Sequence, residues 1–133
     1  MTRHLALLTL IVALATGCTT SRPVDSVDHL TAALERLGVT RGDSVKTIQS
    51  FRINGWQAID ERHLVLTAGV HHHYLLTLAQ PCRELRMAFG ITFDMATPSL
   101  SRMDSVVVNA FHGPLERCSI LDIIRLDHVE SPE

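Results

Sequence analysis

Lysine is almost missing from this chain. Lys46 stands alone against eleven arginines, and aromatic residues fill only 5% of the 133 positions. An excess of either charge is missing too, since 12 basic and 14 acidic residues give a formal charge of −2. A nucleic-acid-binding domain carries a basic footprint that neutralises phosphates, so this balance argues against that class of partner. No apolar run reaches the ~20 residues that a membrane-spanning helix needs. There is no G-x-S-x-G nucleophile elbow, no P-loop, no dinucleotide glycine pattern and no H-E-x-x-H helix. Acyl transfer from a serine elbow, nucleotide binding and helix-borne zinc chemistry therefore have no motif here, and no cofactor is implied. Internal repeats and low-complexity tracts are also absent. What remains is an apolar fraction of 46% and a charged fraction of 20%, the composition of one folded domain.

The amino terminus is the most informative stretch. Met1-Thr2-Arg3-His4 is a short basic segment, and Leu5 to Ala15 is an apolar run of 11 residues broken only by Thr9. That is the length of a signal-peptide core and too short to span a bilayer. Ala15, Thr16 and Gly17 follow, then Cys18. This pattern resembles the lipobox of bacterial lipoproteins, in which the cysteine is acylated and becomes the first residue of the exported protein. The alternative is a plain secretory signal cleaved near Gly17. Each buried CH₂ contributes about 0.8 kcal/mol, so two or three acyl chains hold a protein firmly at a membrane. The resemblance implies a lipid-anchored protein of the cell envelope that faces the periplasm. Thr19 stands where an inner-membrane retention signal of enteric bacteria has Asp, which leans the expectation towards the outer membrane. A product starting at Cys18 loses Arg3 and moves from −2 to −3. The preference for arginine reads either as carboxylate or phosphate recognition, because guanidinium presents a planar fork, or as codon usage.

With Cys18 acylated, Cys82 and Cys118 remain as an even pair in an oxidising compartment, and a disulfide between them is expected. A closed loop of that size contributes roughly 4 kcal/mol in the chain-entropy account. Neither cysteine has a C-x-x-C partner, so a redox role has no sequence support.

Residues 18–25 read as a polar tether. Ser26 to Leu37 reads as a helix with Val27, Leu30, Leu34 and Leu37 on one face, an N-cap at Asp25 or Ser26, and an exit at Gly38. Strand patterns follow. Val45 to Ile53 is a long candidate strand, and Asn54-Gly55 is a hairpin signal that would pair Ile53 with Trp56 and Phe51 with Ala58, all on one face. Trp56 to Asp60 is the return strand. Leu64 to Ala68 and His72 to Leu78 form a pair around Gly69, with Leu66 opposite Tyr74. Cys82 to Phe89 reads as a short helix with Leu85, Ala88 and Phe89 inward. Ile91 to Phe93 and Asp104 to Asn109 are strands, with Thr97 to Arg102 as a loop between them. Arg117 to Leu126 is a last strand with a bulge near Asp122, and the acidic end is expected to fray. The fold expected is mainly β (α+β): a small antiparallel barrel or sandwich of six or seven strands with one N-terminal helix. Its limits are a leader at 1–17, a tether at 18–25, one domain at 26–127 and an acidic tail at 128–133.

Ser50-Phe51-Arg52-Ile53-Asn54-Gly55-Trp56, Asp60, Leu64-Val65-Leu66, Tyr74-Leu75-Leu76 with Leu78, Cys82, Asp104 and Cys118 with Ile120 together resemble a family of small proteobacterial lipoproteins. That family is classed as a domain of unknown function, and the likeness covers residues 40–127. The resemblance implies a secreted, β-rich, lipid-anchored domain with Cys82 and Cys118 paired. It implies no activity, ligand or catalytic residue.

His71-His72-His73 is the other conspicuous feature. On a strand, His71 and His73 share a face, as in H-x-H metal sites for zinc or copper. His63, Glu61, His112 and Asp60 are the further ligand candidates, but the expected register leaves His63 far from the triplet. The plainer reading is a solvated hairpin tip. Trp56 is either an exposed binding anchor or, with Phe51 and Ile53, core. Arg52, Asp60, Arg102 and Asp104 are candidates for ion pairs. Three functions follow from these features: an envelope binding or structural module with a protein or glycan partner, a periplasmic metal binder acting through His71 and His73, and a hydrolase whose site the order of residues hides.

Overall fold

The computed structural model describes residues 24–49 and 52–130; Cys18 and Phe51 lie outside the described residues. The described chain forms one helix, α1 (Val24–Arg36), and nine strands. These are β1 (Val39–Ser44), β2 (Thr47–Gln49), β3 (Ile53–Ala58), β4 (His63–Ala68), β5 (His72–Leu78), β6 (Ala88–Asp94), β7 (Ser99–Ser101), β8 (Ser105–Ala110) and β9 (Glu116–His128). Seven of them make one antiparallel sheet in the order β3-β4-β5-β9-β8-β6, with β1 also on β9. β2 and β7 form a separate two-stranded ribbon. The large sheet curls into a half-barrel.

β9 is the spine. Its first residues pair with β8 through Ser119↔Ser105, its middle pairs with β5 through Ile123↔Leu76, and its last residues pair with β1 through His128↔Val39. The register against β5 jumps from Thr77↔Asp122 to Leu78↔Ile120, which leaves Leu121 as a bulge residue next to the expected position. A bulge shifts side-chain parity by one. Cys118, Ile120 and Ile123 therefore all join one core, while Leu126 turns to the other face.

Two cores result. The sheet curls around the larger, built from Leu64, Leu66, Leu76, Leu78, Leu85, Val106, Val108 and Ile123, with Ile48 and Leu100 of the small ribbon added from its side. The opposite face carries Val65, Leu75 and Leu126, covered by Leu30 and Leu34 of α1. β4 and β5 are buried on both faces, which explains their nearly continuous apolar sequences.

Several expectations need correction. Asn54-Gly55 is not a hairpin turn; both residues lie inside β3, where the jump from Ile53↔Ala68 to Gly55↔Thr67 makes Asn54 a bulge. The Asn54 side-chain amide donates to the Gly69 carbonyl at 3.0 Å. The shared face of Ile53, Trp56 and Ala58 is nevertheless present, because one inserted residue changes parity much as a two-residue turn does. Among the described residues of the long strand expected from Val45 to Ile53, Thr47–Gln49 form the short β2 and Ile53 opens β3; β1 was hidden because five of its six residues are polar or glycine. The Thr97–Arg102 loop contains β7. Cys82–Phe89 contains a 3-10 turn (Leu85–Met87) followed directly by the first two residues of β6; Leu85 is buried, but Phe89 is exposed. Phe89 is the bulge residue between Ala88↔Ala110 and Gly90↔Asn109.

The helix begins at Val24, so Asp25 and Ser26 fall inside it rather than at its cap. From residue 27 onward the helix buries Leu30, Ala33 and Leu34, while Val27 is exposed. Gly38 at φ +70° ends it and Gly69 at φ +67° makes the β4–β5 turn, both in the left-handed region that an L side chain resists. β9 runs on to His128, and the Val129 amide donates to the Gly38 carbonyl at 2.9 Å.

Candidate functional site

Curling without closure leaves two terminal strands, β3 and β6, each hydrogen-bonded to a strand of the sheet on one side. Both line one cleft of about 480 Å³. Ile53, Asn54, Gly55 and Trp56 come from β3; Ile91, Thr92 and Phe93 come from β6, and Met95 follows it. Ile53, Trp56, Ile91, Phe93 and Met95 are half-buried and pack against the large core. The seam is therefore apolar at its floor, and along its rims run two strand edges with a row of main-chain donors and acceptors. Such edges pair readily with another strand. Trp56 serves both readings considered from the sequence: it packs on the core and also lines the seam.

Trp56 lines a second pocket of about 270 Å³ under the end of the helix, with Leu37, Val39, Val65, Thr67 and His73. His73 enters this pocket from β5, opposite Thr67 on one side and Leu126 on the other. Its Nδ1 lies 3.3 Å from the Thr67 hydroxyl, and its ring meets the His128 ring edge-on with centroids 5.0 Å apart. Burial, followed by the neighbouring His128, His72 and His71, pushes the His73 pKa down from its ordinary value. His71 does not lie on the strand; it is exposed in the turn before β5. The strand parity expected for His71 and His73 does not apply, and the histidine beside His73 is His128. His63 sits opposite Thr77, at the far end of the β4–β5 pair, as the expected register required.

Cys82 and Cys118 form a disulfide, with Cα atoms 6.0 Å apart and both residues buried. Beside it, the Glu116 carboxylate accepts the main-chain N–H groups of Arg83 and Glu84 at 3.2 and 2.9 Å. Cys82, Glu116 and Cys118 are the only trio of metal-capable side chains brought together among the described residues, and both sulfurs are held in the disulfide.

Asp60 and His63 form the best-ordered polar pair. Asp60 Oδ1 accepts the N–H groups of Arg62 and His63 at 2.7 and 2.9 Å, and His63 Nδ1 lies 2.9 Å from both carboxylate oxygens. Burial alone would raise the Asp60 pKa, but the Arg62 N–H, the His63 ring and the His63 N–H together hold it below the ordinary value. The pair opens on a third cleft, of about 600 Å³, with His29, Glu61, Arg62, Pro81 and Arg86.

Asp104 is not part of a cleft. It is buried and accepts the Ser101 N–H at 2.7 Å and the Ser101 hydroxyl at 2.9 Å, tying β7 to β8. Arg102 pairs instead with Asp122 at 3.8 Å. The sequence singled out Asp60, His63, Trp56 and His73; the structure brings Trp56 and His73 into one pocket, with Trp56 also lining the seam, and places Asp60 and His63 together in another cleft. The role of β6 in the seam was missed, since Ile91-Thr92-Phe93 alone looks like any short strand; the available signal was the alternation of apolar and polar residues from Ile91 to Asp94.

Among the described residues no helix is long and apolar enough to cross a membrane. The chain belongs to the family described as Family of unknown function (DUF6491), which matches residues 1–132, a longer stretch than the likeness at 40–127 read from the sequence. Comparison with curated proteins and with solved structures finds no match.

Proposed function

We propose that this member of a family without an assigned activity is a binding module of the proteobacterial cell envelope. In this reading it is acylated at Cys18, faces the periplasm from the outer membrane, and takes an extended segment of another envelope protein into the seam between β3 and β6. The leader pattern before Cys18 supports the anchor, and the Cys82–Cys118 disulfide is suited to an oxidising compartment. The observation that carries the binding role is the seam itself: two terminal strands with Ile53, Trp56, Ile91 and Phe93 between them. An extended chain added there gains main-chain hydrogen bonds from the rims and places alternate side chains on the apolar floor. An envelope protein fits better than a glycan, because the rims offer peptide pairing along the strand segments beyond their bulges.

Two measurements test this. Intact-mass analysis and fractionation address the anchor: the expected product starts at acylated Cys18, and a Cys18→Ser chain that still fractionates with the envelope contradicts it. For the seam, Thr92→Lys places a charge at an exposed position on its rim. It is expected to abolish capture of an envelope protein from crosslinked cells, whereas Thr40→Lys on β1 is expected to leave capture intact. Equal capture by both variants contradicts the seam as the recognition surface.

A further inference from the structure

We propose that the cleft beside Asp60 and His63 is a binding site for a phosphate group. The proposal is independent of the seam, which lies elsewhere on the sheet. Basic side chains line this cleft from three elements: His29 from α1, Arg62 and His63 from the β3–β4 turn and the start of β4, and Arg86 from the 3-10 turn. The cleft holds about 600 Å³, enough for a phosphate ester and part of its substituent.

Arg62 and His63 are ordered before any ligand arrives. Arg62 Nε and Nη2 both donate to the Leu78 carbonyl, at 3.3 and 3.2 Å, which fixes the guanidinium plane and leaves its other N–H donors available. Asp60 holds His63 through Nδ1, so Nε2 is the ring nitrogen left to meet a ligand. The wall is stitched to its neighbours: the Leu78 N–H donates to the Arg62 carbonyl at 2.7 Å, and the Cys82 N–H donates to the Glu61 carbonyl at 2.7 Å. Cys82 is itself pinned by the disulfide. A site ordered in this way loses little entropy on binding.

The charge pattern selects the ligand. Asp60 is occupied by two main-chain N–H groups and an imidazole, which leaves Glu61 as the one carboxylate lining the cleft outside that network. Two guanidinium groups disfavour a metal cation. A carboxylate ligand is satisfied by a single Arg fork, whereas donors spread over Arg62, Arg86, His63 and His29 suit the tetrahedral oxygens of phosphate. The phosphate can belong to a soluble monoester or to a lipid headgroup, and the probes below separate the two.

The test is titration of the full, disulfide-intact chain with inorganic phosphate, glycerol 3-phosphate and glycerophosphoglycerol, with acetate as the control, read by calorimetry and by the His63 ring resonances. Saturation by at least one phosphate probe, with the His63 signals moving, is expected. Saturation by phosphate and glycerol 3-phosphate assigns a soluble ester; saturation by glycerophosphoglycerol alone assigns a headgroup. Arg86→Gln and His29→Gln, on separate elements, are each expected to weaken binding, Arg86→Gln by roughly tenfold, the loss of one charge-assisted hydrogen bond. Glu61→Gln is expected to tighten it. The proposal is overturned if no phosphate probe saturates by about 10 mM, if acetate binds equally well, or if both Arg86→Gln and His29→Gln leave affinity unchanged.

Discussion

Asp104 is the only buried charged side chain among the described residues, 8% exposed, and it spends its carboxylate on the Ser101 N–H and hydroxyl. Truncation would leave those donors unsatisfied at the β7–β8 corner. Asp104→Ala is therefore expected to destabilise the fold by about 1–3 kcal/mol in urea denaturation, while Asp104→Asn, which keeps one acceptor, is expected to lose less. His73 makes a pH prediction. Its folded pKa lies below the ordinary 6.5, so between the two values the unfolded chain binds more protons. Its contribution to stability is complete above about pH 6.5 and is lost as pH falls through the folded value. Stability measured between pH 7 and pH 5 should decline, and more shallowly in His73→Gln. Asp60 acts in a lower window: its contribution is present above the ordinary 3.8 and is lost as pH falls through its depressed value. Asp60, His73 and Asp104 were conspicuous in the sequence as residue types, but their partners were not legible. Ser101 meets Asp104, and Arg62 and His63 meet Asp60, through local turns, whereas Thr67 and His128 meet His73 only through pairings set by the whole sheet.

At the scale of elements, the most legible parts were those whose burial imposes a period. β4 and β5 were readable as strands from their apolar runs, and their register was readable because the turn around Gly69 and Val70 sets which residues face each other. The helix was readable as an element, yet its apolar stripe overstated its contact: Leu30 and Leu34 are buried, while Val27 and Leu37, at the two ends of the stripe, are exposed. Leu34→Ala is expected to cost about 2–5 kcal/mol, and the Cys82–Cys118 bridge on the other side of the sheet should still form. β1 was not legible because it lies on β9 with one buried residue, Val39. The Asn54 bulge was misread because Asn-Gly suits both a tight turn and an irregular strand. Bulges also mark both edges of the seam, Asn54 in β3 and Phe89 in β6. Bulges of this kind protect edge strands from indiscriminate pairing and confine any added strand to the segments beyond them.

For the whole molecule, the limiting fact is size: a domain of about 100 residues has little core to spare. The disulfide closes a loop across a sequence separation of 36 and joins the segment before the 3-10 turn to β9. The double variant Cys82→Ser/Cys118→Ser is expected to lose roughly 4 kcal/mol in chemical denaturation at constant pH. The bridge was legible from counting cysteines, and the mainly β class from turn spacing. The open seam was not, because whether a sheet closes depends on the pairing of its first and last strands, which no local pattern encodes. Six or seven strands were expected; the described chain has seven in the main sheet, and the extra ribbon of β2 and β7 supplies Ile48 and Leu100 to the core.

The seam as a recognition surface is the claim on which the functional account turns. A photo-crosslinking residue at Thr92, compared with one at Thr40, in the full chain in living cells tests it most directly. The account predicts one dominant adduct at position 92, mapped by mass spectrometry to an extended segment of an envelope protein, and none of it at position 40. Adducts at both positions alike, or adducts at position 92 only to glycan, would contradict it.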